Sequence, residues 1–303
     1  MKNSLILCIL MLIGIGCSTK IEEPIQAARK FRGTFEDTET RTYLDNLIRL
    51  RWNAEDKITI FEGTTRNKQY VFLGETGDNS GDFEYVKAGF GTGNSINRHY
   101  AIYPYNSTTK LHEDGYITYT FPSTQNYAEG SVGLGANPMV AITANLDDYD
   151  LIFKNVGAFL YLKLYGAQQT VGSIVLTTNN GEAIAGKAFI TPNYGSTPNC
   201  EMQESTSSVT LTCSTGISIG ETKEEATSFW IVIPPVKMEG GLTVTVNGYY
   251  GGSQTFVVNK SIEFARNKYM EMERELSIPS SNGNNMGVNG WGSNGNDISG
   301  SAE

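Results

Sequence analysis

Hydrophobic and polar positions alternate along most of this chain. Ile58 and Ile60 in KITIF, Tyr70 and Phe72 in KQYVF, and Tyr100 and Ile102 in HYAIY set a period of two. The pattern resumes from Phe159 to Tyr165, Val171 to Thr177, Phe229 to Ile233 and Val244 to Val246. Alternation in Val, Ile, Thr, Tyr and Phe puts successive side chains on opposite faces of a strand. Turn-forming clusters separate these runs: GETGDNSGD, GFGTGNS, TTNNGE and YYGGSQ. No stretch holds a helical period for more than a turn or two. Short strands at spacings of about 8–12 residues predict an all-β fold of the sandwich type rather than an α/β enzyme.

The pattern also predicts divisions. ANLDDYD, Ala144 to Asp150, is polar, follows the apolar run Met139 to Ile142 and precedes the dense run Leu151 to Tyr165. A boundary there gives an N-terminal sandwich over 17–147 and a second over 148–278. From Pro279 to Glu303 the chain is rich in Gly, Asn and Ser, and composition alone gives a flexible tail. Within it Met286 and Val288 alternate ahead of Trp291, which predicts a short strand.

Residues 1–16 differ in kind. Lys2 precedes an apolar run from Leu5 to Ile15, too short to cross a bilayer, which takes about 20 residues. Its size and flanks are those of a signal peptide. Gly14-Ile15-Gly16-Cys17 resembles the bacterial lipobox, with Gly14 where Leu is usual, and makes Cys17 a lipidated anchor. Stable anchoring takes more than one acyl chain at about 0.8 kcal/mol per buried CH₂. Ser18 to Glu23 resembles the Lys-plus-acid tag that routes some lipoproteins to the cell surface, and reads equally as a solvated linker.

Composition narrows the partners. The 303 residues carry a formal charge of −9, one unit more negative once Lys2 leaves with the signal. No basic cluster occurs, so nucleic acid is not an expected partner. Cys8 also leaves with the signal, and Cys200 and Cys213 remain. If Ser205 to Ser208 turns a hairpin, the two cysteines face each other and a disulfide fits an oxidising envelope; free thiols are the alternative. No metalloprotease, nucleophile-elbow or phosphate-loop motif is present. Gly89 to Asn94 lacks the last glycine of a dinucleotide fingerprint. Asp78, Ser80 and Asp82 begin a calcium-loop spacing that Phe83 and Gly89 break. His99 and His112 fall in different predicted hairpins, and Asp147, Asp148 and Asp150 read as a solvated linker. No catalytic residue, metal or cofactor is expected.

Several stretches in order resemble the fimbrillin-like (Mfa-like) family of surface lipoproteins and fimbrial subunits. They are TRT at 40–42, WNAEDKITIF at 52–61, AIYPY at 101–105, FPSTQ at 121–125 and PMVA at 138–141. FKNVGA at 153–158, FWIVIPP at 229–235, RNK at 266–268 and NGWG at 289–292 complete the set. The resemblance implies two tandem transthyretin-like β-sandwich domains and a lipid-anchored precursor on the outer membrane. It also implies removal of the N-terminal segment by an arginine-specific protease and donor-strand exchange with other fimbrial subunits. Those subunits and a ligand on a host or bacterial surface are then the expected partners. The first candidate strand is Phe31 to Glu36, with Arg41 the foremost cleavage point and Arg32 the second. A surface glycan-binding lipoprotein is the alternative, which a platform of exposed Trp and Tyr would mark.

Overall fold

The computed structural model describes residues 30–36, 50–278, 288–290 and 298–300. Cys17 and Arg41 lie outside them, as do Met286 and Trp291. Regular structure among the described residues is all strand apart from one 3-10 turn, Lys223–Glu225. In the first half these are β1 (Phe31–Phe35), β2 (Lys57–Phe61), β3 (Lys68–Phe72), β4 (Ser80–Ala88) and β5 (Tyr100–Tyr103). They continue with β6 (Ile117–Phe121), β7 (Thr124–Asn126), β8 (Met139–Ile142) and β9 (Asp150–Asn155). The second half opens with β10 (Ala158–Tyr165), β11 (Thr170–Thr178), β12 (Ala185–Thr191), β13 (Asn199–Thr206) and β14 (Ser208–Ser218). Next come β15 (Thr227–Ile233), β16 (Val236–Met238), β17 (Leu242–Gly248), β18 (Ser253–Val258), β19 (Ile262–Phe264) and β20 (Tyr269–Glu275). Two short strands, β21 (Val288–Gly290) and β22 (Ile298–Gly300), fall in the tail.

Seven strands close into a barrel in the order β1-β4-β3-β2-β5-β8-β9. Ile58, Ile60, Tyr70, Phe72, Phe83, Ala101, Met139, Ala141, Leu151 and Phe153 fill it. Burying side chains of this size contributes about 1.5–3 kcal/mol each for the larger ones. The opposite faces of β5 and β8 are buried too. Ile102 and Val140 pack outward with Phe61, against Ile117, Tyr119 and Phe121 of β6 and Ala188 and Ile190 of β12. This double burial makes those strands read as continuous apolar runs.

In the second half, Leu160, Leu162 and Leu164 of β10 and Phe229 and Ile231 of β15 meet Ile174, Leu176, Val209, Leu211, Val244 and Val246. The facing sheets are β15-β10-β20-β22 and β21-β18-β17-β11-β14-β7. In the tail β21 runs parallel to β18 and β22 antiparallel to β20. Trp52 and Trp230 sit in different cores.

The halves are less separate than the sequence suggests. β9 pairs with β1 and β8, so a boundary at 147/148 falls between two strands of one barrel, and the chain leaves that barrel after Asn155. The polar stretch before β9 is a tight loop: the Asp148 carboxylate accepts from the Ala144 and Asp150 amides at 2.8 and 3.0 Å. The β12–β13 hairpin leaves the second half to pair with β6, and β7 pairs with β14. Side-chain alternation specifies which face is buried, not which strand lies alongside, so self-contained tandem sandwiches do not follow from it.

The expected cysteine hairpin is also absent. β13 pairs with β12 and β14 with β11, the chain crossing between sheets at Ser207, whose carbonyl accepts from Thr178 N–H. Cys200 lies opposite Ile190, Cys213 lies in the second-half core, and both are free thiols. Burial pushes the thiol of Cys200 up to about 12 and that of Cys213 up to about 11.

Candidate functional site

The first strand, FRGTF, is held on both edges. It pairs antiparallel with β4, Phe31 opposite Phe83, and parallel with β9, Phe35 opposite Phe153. Period two turns Phe31, Gly33 and Phe35 inward. Phe31 is fully buried and meets Tyr70 and His99 edge-on, with ring centroids 5.4 and 5.0 Å away. Phe35 stacks on Trp52 at 4.7 Å, and Trp52 in turn lies edge-on to Phe83 and Phe153. Gly33 leaves room for Phe83: a Cβ there would stand 2.5 Å from its ring. The strand therefore fits its seat as a plug fits a mould, with aromatic rings at both ends and a bare backbone between.

Two polar arrangements hold the walls of the seat. His99 is buried, its Nδ1 accepting from Gly63 N–H at 3.1 Å. The ring proton therefore sits on Nε2, which donates to the Leu146 carbonyl at 3.0 Å. Beneath Trp52, the Asp56 carboxylate accepts from Asn53 N–H at 2.8 Å and from the Tyr103 hydroxyl at 3.4 Å. Burial raises the pKa of Asp56 above the ordinary carboxylate value, against the lowering effect of those two hydrogen bonds.

The strand ends in a latch. Arg266 donates from Nη1 to Glu36 Oε1 at 2.7 Å and from Nη2 to Oε2 at 3.2 Å, a two-pronged pairing. Nη1 also reaches the Asn155 carbonyl at 2.7 Å, and Asn155 N–H donates to Glu36 Oε1 at 3.0 Å. Asn155 Nδ2 donates to Gly157 O and Asn267 Oδ1, both at 3.1 Å. Asn267 has φ +57°, the left-handed turn that Asn tolerates, and it aims Arg266 at the strand. The latch thus joins β1, the end of β9 and the turn that enters β20.

Of the residues singled out by sequence, Arg32 lies inside β1 with its guanidinium outward, 3.4 Å from Ser80 Oγ and 3.9 Å from Asp82. Its amide donates to Tyr149 O at 3.0 Å. Backbone paired on both sides is not open to a protease, which needs an extended free segment. Glu36, Asn155 and Arg266 were not marked as site residues, although the FKNVGA and RNK stretches contain two of them. Their only local signal is Asn267, a turn residue just before the last long strand.

No protein-family model matches the chain, and no curated protein does. Among solved structures it is similar to a candidate cell adhesion protein from Bacteroides uniformis. That match has a TM-score of 0.47 and 14% identity over 84% of this chain and 94% of the other. A candidate cell adhesion protein from Bacteroides ovatus matches at 0.47, with 14% identity over 83% of this chain and 92% of its own. The tip fimbrial protein Mfa3 from Porphyromonas gingivalis matches at 0.31, with 8% identity over 83% of this chain and 96% of its own.

Proposed function

We propose that this protein is a non-enzymatic surface lipoprotein, a fimbrial subunit or adhesin, that assembles by exchange of its first strand. The observation that carries the reading is the seat of β1. The strand closes the barrel by pairing on both edges, and residues 37–49, which include Arg41, connect it to the rest of the chain. Cleavage after Arg41 would leave β1 held by pairing, by Phe31 and Phe35, and by the Glu36–Arg266 latch. Its departure would open an apolar groove flanked by two unpaired strand edges, which a strand from a neighbouring subunit satisfies. Cys17, lipidated, would tether the precursor to the outer membrane and place it on the cell surface until processing releases it. A surface-exposed subunit whose vacated seat takes a strand from the next subunit, repeated from copy to copy, polymerises head to tail.

The test is digestion of purified protein with an arginine-specific protease, with N-terminal sequencing and light scattering on the products. Cleavage after Arg41, loss of residues before it and growth of folded oligomers is the expected result. Resistance at Arg41 and Arg32, or cleavage that yields only unfolded protein, overturns the reading.

A further inference from the structure

β8 and β9 meet over only two registered pairs, Met139 with Asn155 and Val140 with Lys154. Val156 N–H closes that end on Pro138 O at 2.9 Å. Hydrogen-bonded rungs recur every second residue in an antiparallel ladder, so the next would join Ile142 to Ile152. It is not made, because the strands splay to admit the loop 143–149. A wedge-shaped cleft of about 480 Å³ opens there, with the loop 192–198 between β12 and β13 as its other wall. This size falls within the range of about 300–1,000 Å³ usual for small-molecule sites.

We propose that this cleft binds a neutral saccharide. The wedge is closed at Val140 and Lys154, so no extended peptide can run through it, and a compact ligand fits. Two carboxylates line it, Asp148 and Asp150, with the half-exposed side chain of Ile152 and the ring of Tyr194, which is 59% exposed. A sugar ring presents the matching chemistry: an apolar C–H face for Tyr194 and Ile152, and hydroxyl donors for the carboxylates and the Asn193 amide. Anionic sugars meet the repulsion of Asp148 and Asp150. Lys154, whose Nζ donates to Asn193 O at 3.1 Å and to Ser196 O, sets one positive charge against these two negative ones in the lining.

Those same contacts build the wall in advance. Lys154 ties the loop to β9, and Asn193 Nδ2 closes the loop on Thr197 O at 2.9 Å. The Arg98 guanidinium, anchored on Thr143 O at 3.2 Å, sits 5.5 Å from the centroid of the Tyr194 ring. A site already ordered loses little freedom on binding. The proposal gives the adhesion reading a ligand class and rests on it only for its biological meaning: β9 turns Leu151 and Phe153 into the barrel beside β1, and its alternate residues Asp150, Ile152 and Lys154 line the cleft.

The experiment uses the uncleaved monomer, so it succeeds or fails independently of strand exchange. The ¹⁵N-labelled protein is titrated with the methyl glycosides of glucose, galactose, mannose and N-acetylglucosamine, and with N-acetylneuraminic acid as the acidic comparison. The expected result is saturable shifts at the amides of 150–154 and 193–197 with at least one neutral glycoside. Tyr194→Ala and Asp150→Asn should each weaken that binding by about tenfold, while Tyr250→Ala, a comparably exposed tyrosine on another hairpin, leaves it unchanged. Circular dichroism identical to the parent shows that the variants fold. No response to any neutral glycoside, shifts confined to other residues, preference for the acidic sugar, or undiminished binding in Tyr194→Ala overturns the assignment.

Discussion

Arg266 grips Glu36 across 230 residues of sequence, with both guanidinium prongs on one carboxylate at 2.7 and 3.2 Å. The pair is mostly shielded, with side chains 22% and 16% exposed, and shares its oxygens with the Asn155 backbone. It couples the retention of the first strand to the turn before β20. Arg266→Ala should lower stability by about 1.5–3 kcal/mol in urea unfolding, the range for a hydrogen-bonded charge left without its partner. Arg266→Lys should recover part of this, since a point charge cannot replace both prongs. A double-mutant cycle with Glu36→Gln checks the pairing: strictly additive losses would contradict it.

Loosening β1 from its other end should expose Arg32. Phe31→Ala removes a fully buried ring between Tyr70 and His99 and should destabilise by about 3–5 kcal/mol. Arginine-specific cleavage at Arg32, slow in the parent, should then accelerate in step with amide exchange across 31–36. Gly33→Ala should act the same way through a different cause, by forcing the Phe83 ring aside.

A second long-range contact ties the two sheets of the second half together. The side-chain amide of Gln125 donates to Val232 O at 2.6 Å and accepts from Val232 N–H at 3.0 Å, standing in for a strand on the open edge of β15. Gln125→Ala leaves both backbone groups buried and unmet, and should cost about 1–3 kcal/mol. Thr124→Ala, next to it but exposed, should change the unfolding midpoint little.

A buried and a half-buried carboxylate should give opposite pH dependence. Burial raises Asp56, so its folded form holds a proton more tightly than the unfolded chain. Its favourable contribution is complete below the unfolded value near 3.8 and is lost as pH rises through the folded pKa. Asp56→Asn should therefore gain on the parent as pH rises from acid to neutral. Burial also raises Glu62, but hydrogen bonds from Lys68 at 2.6 Å and Tyr70 at 2.8 Å outweigh it and lower the pKa overall. Its contribution is present above the unfolded value near 4.5 and disappears as pH falls through the folded pKa. Glu62→Gln should be weaker than the parent at neutral pH, and the difference should close in acid. Parallel unfolding curves at several pH values read both slopes.

The faces of strands that turn into a core were legible in the sequence. Ile58 and Ile60 alternate with polar neighbours because β2 turns them into the barrel, and Trp52 to Asp56 form the turn before it, closed by Asn53 and Asp56. Pro234 and Pro235 end β15, since neither can donate to a ladder. Partner choice was not legible. Nothing in CEMQESTSSVTLTC shows that its two halves join different sheets, because β13 and β14 alternate as hairpin strands would. The polar run 144–150 reads as a division because a polar loop within a barrel has the composition of a linker. Arg32 could be placed in the first strand from its neighbours Phe31 and Phe35. Its latch could not, because Glu36 and Arg266 meet only once every intervening strand is in position.

The borrowed pairing of β6 with β12 has a consequence for the order in which the chain acquires its shape. A chain made N-terminus first delivers Ile117–Phe121 well before Gly186–Ile190, and β1 well before β9. Neither early strand has its full set of neighbours until later segments follow. Such delayed, non-local closure is slow and leaves apolar edges exposed meanwhile. The first strand is thus sealed in only once β9 has arrived to close the barrel beside it.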